Sequence, residues 1–487
     1  MSLFSRKLTP PIFYSIVSIV FLSAPVALGA LGLQNAAVSL LALAASSLCI
    51  LRYPEVSIYT ILVLTMVFER FFTLEPIFGD IKLYFLDAVI GAGIFSHVIW
   101  SLRERSGGHK TQLLKVGHLE ISIVFFVFFV FLTYLRSIAG LTQDADIAFS
   151  ALKNYAFYPI VYLLFVSVIR SERQLSRFMS LFVMTSWFLV IFLLLGVLRG
   201  EGIWTQWTPL STEGVRYIAF THAFYIAMGM LIFVPIWLLR TKRVYLATAL
   251  LWAQGLAVLA SLMRHLWMSM ALGMGVMLSV LIKINRQRIS IIFKRNLGLL
   301  FFLTAWMGVI LWNIPFRDSV ERLGDFSQPL INRIASVSTG LGDQSLNWRV
   351  YAWDVAGDAF VSSPALGIGF GRALSIQIGD FFQTFFVREL HNSPLVILVQ
   401  MGAVGFAFFL AIHVIFIRML WRLLHAKNSR TILVIAVLGL YLNFAFASFW
   451  QPYMETNLLS IFFWMILGMG RVLSDLSGHR SQVTNHK

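Results

Sequence analysis

The chain of 487 residues holds a single cysteine, Cys49, inside an apolar run, so an intrachain disulfide and a cysteine metal cluster are both excluded. Charge is scarce as well. Charged residues make up 12% of the sequence, about half of what an ordinary soluble domain carries. Acids are the scarcer sign, 22 Asp and Glu against 38 Lys and Arg. The alternating glycines of SSPALGIGFGRAL are not followed by Lys-Ser/Thr, which excludes a P-loop and leaves Gly367, Gly369 and Gly371 as residues of tight turns. An internal repeat of two matching halves, common in transporters of this size, is also absent.

What is present is apolar. Hydrophobic residues are 59% of the chain and mean hydropathy is +0.81. A membrane-crossing helix needs roughly 20 mostly apolar residues, and such runs recur from residue 11 to residue 473 with short polar breaks. The alternation of a barrel is missing, and isolated spans pair their backbone only as helices. The expected fold is therefore an all-α polytopic membrane protein, one membrane domain over residues 1–487. Spans are expected near 11–32, 35–51, 54–69, 82–100, 119–138, 151–169, 178–198, 216–239, 244–262, 265–284, 297–313, 393–417, 431–449 and 456–473, about fourteen in all.

The net charge of +16 records topology rather than a nucleic-acid partner. The breaks SLRERSGGHKTQLLK, RSERQLSR, RTKR, KINRQRISIIFKR and RMLWRLLHAKNSR are basic and fall at every second position, so they are expected to face the cytoplasm. Breaks such as AGLTQDADIAF, RGEGIWTQWTPLSTEGVR and WQPYME, richer in acids, aromatics, Gly and Pro, are expected to face outward, with both termini inside. Arg6 and Lys7 before the first run read as an uncleaved signal anchor. One long break, residues 314–392, falls outside on this alternation and is too long for a plain connector. It is expected to contain short helices. SLNWRVYAWDVAGDAF has Trp348, Tyr351, Ala352, Val355 and Ala359 on one helical face and Asp354 and Asp358 on another turn.

Candidate site residues gather on the outer side. In FVRELHNSPLVILVQMG, Asn392 or Ser393 caps a span and Pro394 takes its first turn, which puts His391 at a membrane boundary. Free amides at such a helix mouth favour an anionic oxygen. Two roles fit His391: a base that takes a proton from a hydroxyl, or a polar residue that marks the water interface. Arg264 breaks an apolar run from 244 to 282 that is too long for one span. A cation at such depth is a functional candidate. Arg216 and Arg349 lie outside against the positive-inside bias, and guanidinium groups match phosphate with forked hydrogen bonds; snorkelling or an ion pair with Glu213 or Asp354 is the alternative. Asp87 sits inside the fourth span, where a buried charge needs a partner. It positions an arginine or the acceptor, or relays protons in a transporter. Asp144 and Asp146, the single D-x-D, read as turn polarity, and no metal-ligand spacing or cofactor motif is seen.

The outer-turn Arg264, the loop with Asn347-Trp348-Arg349, the run P-A-L-G-I-G-F-G, and His391-Asn392 before a span together resemble the O-antigen ligase and polymerase superfamily, most clearly from about 205 to 470. The resemblance implies a GT-C-type glycosyltransferase of the bacterial inner membrane, active on the periplasmic face, with an undecaprenyl-diphosphate-linked glycan as donor and no cofactor. Arg264 and Arg349 would then bind the diphosphate and His391 would activate the acceptor hydroxyl, with Asn392 and Asp87 in support. Arg216 joins them on charge and side alone. Unlike GT-C enzymes with an acidic metal motif in the first outer loop, this chain has only about Leu33 to Gln34 there. Membrane lipids, a glycan or lipid A core as acceptor and, for a polymerase, a chain-length regulator are the implied partners. A flippase or exporter of lipid-linked sugar is the rival class.

Overall fold

The apolar runs fold as helices, as a bilayer without water requires of a backbone that must pair its own amides. The structure is a computed structural model that describes residues 9–30, 36–67, 84–106, 116–199, 218–241, 243–313, 344–378, 381–426 and 430–484. Its helices are α1 (Pro10–Ala30), α2 (Ala36–Arg52), α3 (Glu55–Val67), α4 (Phe85–Ser106), α5 (His118–Arg136), α6 (Ala145–Leu152), α7 (Pro159–Val168), α8 (Glu172–Arg199), α9 (Phe220–Arg240), α10 (Val244–Ala260), α11 (Arg264–Asn313), α12 (Gln344–Ser362), α13 (Ser393–His425), α14 (Thr431–Ser448) and α15 (Asn457–Thr484). Among the described residues, 9 helical stretches are long and apolar enough to cross a membrane, and four shorter apolar helices accompany them. One of the nine, within α11, breaks at Asn285 (φ −152°, ψ 69°); among the described residues these nine do not reach the expected count of about fourteen spans. The chain is an all-α polytopic membrane protein. Helices α9, α14 and α15 form its centre, while α5 turns Phe125, Phe128 and Phe131 outward.

Two helices are interrupted inside the bundle. Between α6 and α7 the chain makes a π-turn, Lys153–Phe157, closed by Pro159 in the first turn of α7. The wider turn brings three consecutive side chains, Lys153, Asn154 and Tyr155, into buried positions. The second interruption is deeper in consequence. At Gly402 α13 leaves helical geometry (φ 67°, ψ −173°), and the segment 364–369 completes the bonds on both sides of the gap. Ile368 N donates to Val399 O (2.9 Å) and Gly369 N to Gln400 O (3.0 Å), while Ala403 N donates to Pro364 O (2.8 Å) and Val404 N to Ala365 O (3.2 Å). Arg136 Nη2 then donates to the carbonyls of Leu366 and Gly367, each at 2.6 Å. A Cβ on Gly402 would lie 2.3 Å from Ala365 O, and one on Gly367 2.4 Å from the Gln400 carbonyl carbon. The turn reading of Gly367, Gly369 and Gly371 agrees with their φ of +69°, +88° and +70°.

Residues 344–392 hold more than the short helices expected. After α12 comes an antiparallel hairpin, β1 (Ala373–Ile378) with β2 (Phe381–Phe386), in which Leu374 faces Phe385 and Ile376 faces Gln383. The alternation of Leu374, Ser375, Ile376, Gln377 and Ile378 in β1 is the two-residue period of a strand, while β2 is rich in Phe instead. Ala352 and Ala356 of α12, Ile376, Phe385, Val387, Leu390, Val396 and Val399 close a second small core, so the first turns of α13 pack with this unit. Trp348, Val355 and Ala359 pack against that core as expected, but Tyr351 does not: burial centres on Ala352 and Ala356, and Tyr351 stays 47% exposed on the flank. Residues 314–343 of the expected long loop lie outside the described residues, as do parts of several expected span boundaries.

Gly402→Ala is expected to lower the thermal midpoint of the detergent-purified protein by more than the roughly 1–2 kcal/mol equivalent that left-handed φ costs an L-residue, since steric overlap adds to it. Gly91→Ala, whose Cβ would meet nothing within 4 Å, should leave the midpoint unchanged in the same fluorescence-detected melting assay.

Candidate active site

The loop 449–456 between α14 and α15 organises one face of the bundle. His391 stands immediately before it in space. Its Nδ1 lies 2.9 Å from Gln451 Oε1; an amide oxygen only accepts, so Nδ1 carries the hydrogen and Nε2 is the nitrogen with the basic lone pair. The ring edge of His391 meets Trp348 at 5.8 Å between centroids and 81° between planes, and Arg349 follows Trp348 on α12. Trp353 Nε1 donates to Leu390 O (2.8 Å) and its ring faces Trp450 at 6.0 Å. At the same loop Tyr453 OH lies 3.4 Å from His265 Nε2, and His265 is the residue after Arg264. His391 and the residue after Arg264 thus both meet this loop, and the residue before Arg349 meets His391. Arg216 lies outside the described residues.

Backbone strain falls at His391 and two residues before Arg264. Among the described residues only Leu262 (φ 58°) and His391 (φ 54°) are non-glycine residues with positive φ. Such conformations cost energy and collect where function requires them. Leu262 makes the turn that the over-long apolar run predicted, and Ser261 Oγ (2.6 Å) and Trp267 Nε1 (2.9 Å) both donate to Val258 O to close the end of α10. His391 turns the chain into the cap of α13: Asn392 Oδ1 accepts from Leu395 N at 3.1 Å. The Asn392 cap expected from the sequence is thus present, and it takes up an amide that had been considered for an anionic ligand.

The anion at this helix mouth is the protein's own. Glu455, buried, receives Ser393 Oγ on Oε2 (2.5 Å) and the hydroxyl of Tyr155 on Oε1, while its carbonyl receives Asn154 Nδ2 (2.7 Å) and Arg388 Nη2 (3.1 Å). Burial pushes the Glu455 carboxyl above its ordinary value of 4.5, and the bonds from Ser393 and Tyr155 together with the charge of Arg388 restrain the rise. Asp87 belongs to a neighbouring cluster. It stands in the first turn of α4, nearer the helix end than the sequence suggested, and its partner is a lysine rather than one of the arginines: Lys153 Nζ meets Oδ2 at 2.5 Å, with Tyr84 N at 3.0 Å and Tyr158 OH on Oδ1 at 3.3 Å. Lys153 also lies 4.4 Å from the centre of the Tyr84 ring. Asp144 Oδ1 caps α6 by accepting from Ile147 N (2.9 Å), which is turn polarity. Among the described residues no group of three or more His, Cys, Asp or Glu is placed to hold a metal ion.

Gln451, Glu455 and Lys153 are the residues that sequence reasoning missed. Lys153 did carry a signal, a lone cation in an apolar run, which is expensive unless paired. Glu455 closes the short break WQPYME just before a span. Gln451 carries no signal of its own, since only the fold brings it to His391.

A polytopic helical membrane protein with a polar, strained site on one face of its bundle is the class that this geometry defines. Residues 247–410, about a third of the chain, match the family model described as O-antigen ligase (Wzy_C), which supports the O-antigen ligase and polymerase superfamily named from the sequence. The matched stretch includes Arg264, Arg349, His391 and Asn392, and leaves out Asp87, Arg216, Gln451 and Glu455. No curated protein matches the chain.

A carboxyl whose folded pKa is raised contributes stability that is present while it is protonated and is lost as pH rises through the folded pKa. Glu455→Gln, which keeps the shape without the charge, is therefore expected to melt higher than the wild type at neutral pH, with the gap closing below pH 4.5; a series of melting curves across pH reads this directly.

Proposed function

We propose that this chain is a multi-pass bacterial inner-membrane glycosyltransferase that acts on undecaprenyl-diphosphate-linked glycans and joins repeat units of O-antigen or exopolysaccharide on the periplasmic face. The observation that carries the reading is the His391 imidazole, oriented by Gln451 at 2.9 Å on the loop that also meets the residue after Arg264. Transfer breaks the bond between the anomeric carbon and the diphosphate oxygen and forms a bond to the acceptor hydroxyl oxygen. His391 Nε2 takes the hydroxyl proton, and the electron pair leaves on the diphosphate. Charge grows on that leaving group in the transition state, and fixed cations stabilise it there more than in the ground state. Arg264 and Arg349 fill this role, and Arg216 is assigned to it by charge and side. Asn392 supports the site by capping α13, and Asp87 by its bond to Lys153, the residue before the Asn154 and Tyr155 that hold Glu455. Guanidinium groups supply the charge neutralisation, so the transfer is proposed to be metal-independent. The large loop 314–392 is proposed to be periplasmic, as part of a single membrane domain with both termini cytoplasmic.

A ligase that hands the glycan to lipid A core uses the same donor residues, and only the acceptor differs. The rival flippase is disfavoured by the opposite face of the bundle, which a carrier would have to open. There Glu55 pairs with Arg177 (3.8 Å), Glu172 with Arg430 (3.0 Å), and Glu120 and Asp475 with Arg471 (2.7 and 3.0 Å).

Purified protein given a lipid-diphosphate-linked repeat unit as its only substrate is expected to produce a ladder of longer glycans. Product that forms only after lipid A core is added would make it a ligase, and donor crossing a vesicle membrane without transfer would overturn the enzyme reading. His391→Ala should reduce turnover by at least the roughly 10²–10⁴-fold that a general base contributes while donor binding persists, whereas Arg264→Ala should weaken donor binding as well.

A further inference from the structure

Residues 214–317 contain no Asp or Glu, so this stretch cannot neutralise its own cations. On the face opposite the His391 site it gathers six of them among the described residues. Arg243 precedes α10, Lys283 and Arg286 flank the break of α11 at Asn285, and Arg288, Lys294 and Arg295 follow it. All but Arg288 are exposed. Elsewhere on that face Arg177, Arg430 and Arg471 are each closed by a carboxylate, while Arg170 is held by Ser167 O and the Trp100 ring.

Two arginines of this patch, Arg288 and Arg295, are held by neutral groups. Arg288 Nε donates to Leu238 O at 2.9 Å, and Arg295 Nε donates to Tyr245 OH at 2.7 Å with its guanidinium 4.7 Å from the Tyr245 ring centre. Neutral acceptors fix the direction of a guanidinium without cancelling its charge, and the remaining N–H groups suit a phosphate. The same stretch has a side buried against the bundle and a mixed exposed side. Ile289 and Ile292 are buried against the bundle, whereas Ile291, Phe293 and Leu297 are exposed between the cations. Cations at the end of a membrane-crossing helix reach the headgroup layer while apolar side chains between them meet acyl chains, and such cations attract anionic lipid.

We infer that the segment after the α11 break is a binding site for anionic phospholipid, with Arg286, Arg288, Lys294 and Arg295 on the headgroup phosphate and Ile291 and Phe293 among the acyl chains. The site is independent of the transferase reading, because it lies on the other face and shares no residue with it.

The test uses the full chain reconstituted in nanodiscs of mixed phosphatidylcholine and phosphatidylglycerol, then released into mild detergent and read by native mass spectrometry. Phosphatidylglycerol is expected to be retained in preference to phosphatidylcholine. Arg286→Gln with Lys294→Gln should weaken that retention by about fivefold for each cation removed, with an unchanged melting curve showing that the variant is folded. Arg173→Gln, an exposed cation elsewhere on the same face, should retain lipid as the wild type does. Equal retention of the two lipids, no loss in the double variant, or an equal loss in Arg173→Gln would each overturn the proposal. Displacement of the lipid by inorganic phosphate at matched ionic strength would show a site for free phosphate and would overturn it too.

Discussion

A backbone carbonyl or amide left unpaired in the apolar part of a bilayer costs several kcal/mol, so a long membrane helix can be interrupted only where other groups complete its bonds. The segment 364–369 does this for α13. Its carbonyls at 364 and 365 receive the amides beyond the break, and its amides at 368 and 369 bond the carbonyls before it. Much of the outer architecture follows from this exchange. The segment comes directly after α12, so the helix with Trp348 and Arg349 is held in register with the helix whose cap follows His391. Arg136 extends the arrangement to α5 through the carbonyls of 366 and 367. Glycine is required at 367 and 402 because the two backbones approach closer than a Cβ allows.

The loop 449–456 plays the complementary part. It meets His391 through Gln451, the start of α13 through Glu455, α12 through Trp450 and the start of α11 through Tyr453. Each of these four contacts uses a different residue of the loop. The imidazole is consequently set by a neutral amide oxygen, while the carboxylate nearby serves the helix mouth. A carboxylate at the position of Gln451 would hold the ring in its charged form more strongly; the neutral amide fixes the tautomer and leaves the ring able to take up a proton and release it again.

Much of the fold was legible because membrane spans are written in composition. Even the turn at Arg264 followed from length alone, since no single span accommodates the run from 244 to 282. Candidate residues were legible where the helix signal itself was local, as with Asn392 and Pro394 at the start of α13. What depends on long-range partners was not. Asp87 was correctly expected to need a partner, but Lys153 lies 66 residues away and one lysine among apolar residues does not say whom it meets. The hairpin of Ala373–Phe386 had the alternation of a strand in its first half and was passed over within a long loop. Tyr351 was placed with the buried face because helical spacing gives the face but not its centre, which the small side chains of Ala352 and Ala356 set.

The bonds of Glu455 to the π-turn have a consequence for how the molecule is made. Asn154 and Tyr155 wait for a partner that follows them by 301 and 300 residues, so they enter the bilayer long before it is synthesised. Until the last two helices arrive, those side chains must be satisfied by water or by neighbouring helices, and the imidazole has no amide to orient it. The bonds around Glu455 and the bond from His391 to Gln451 are therefore completed only with the final hairpin.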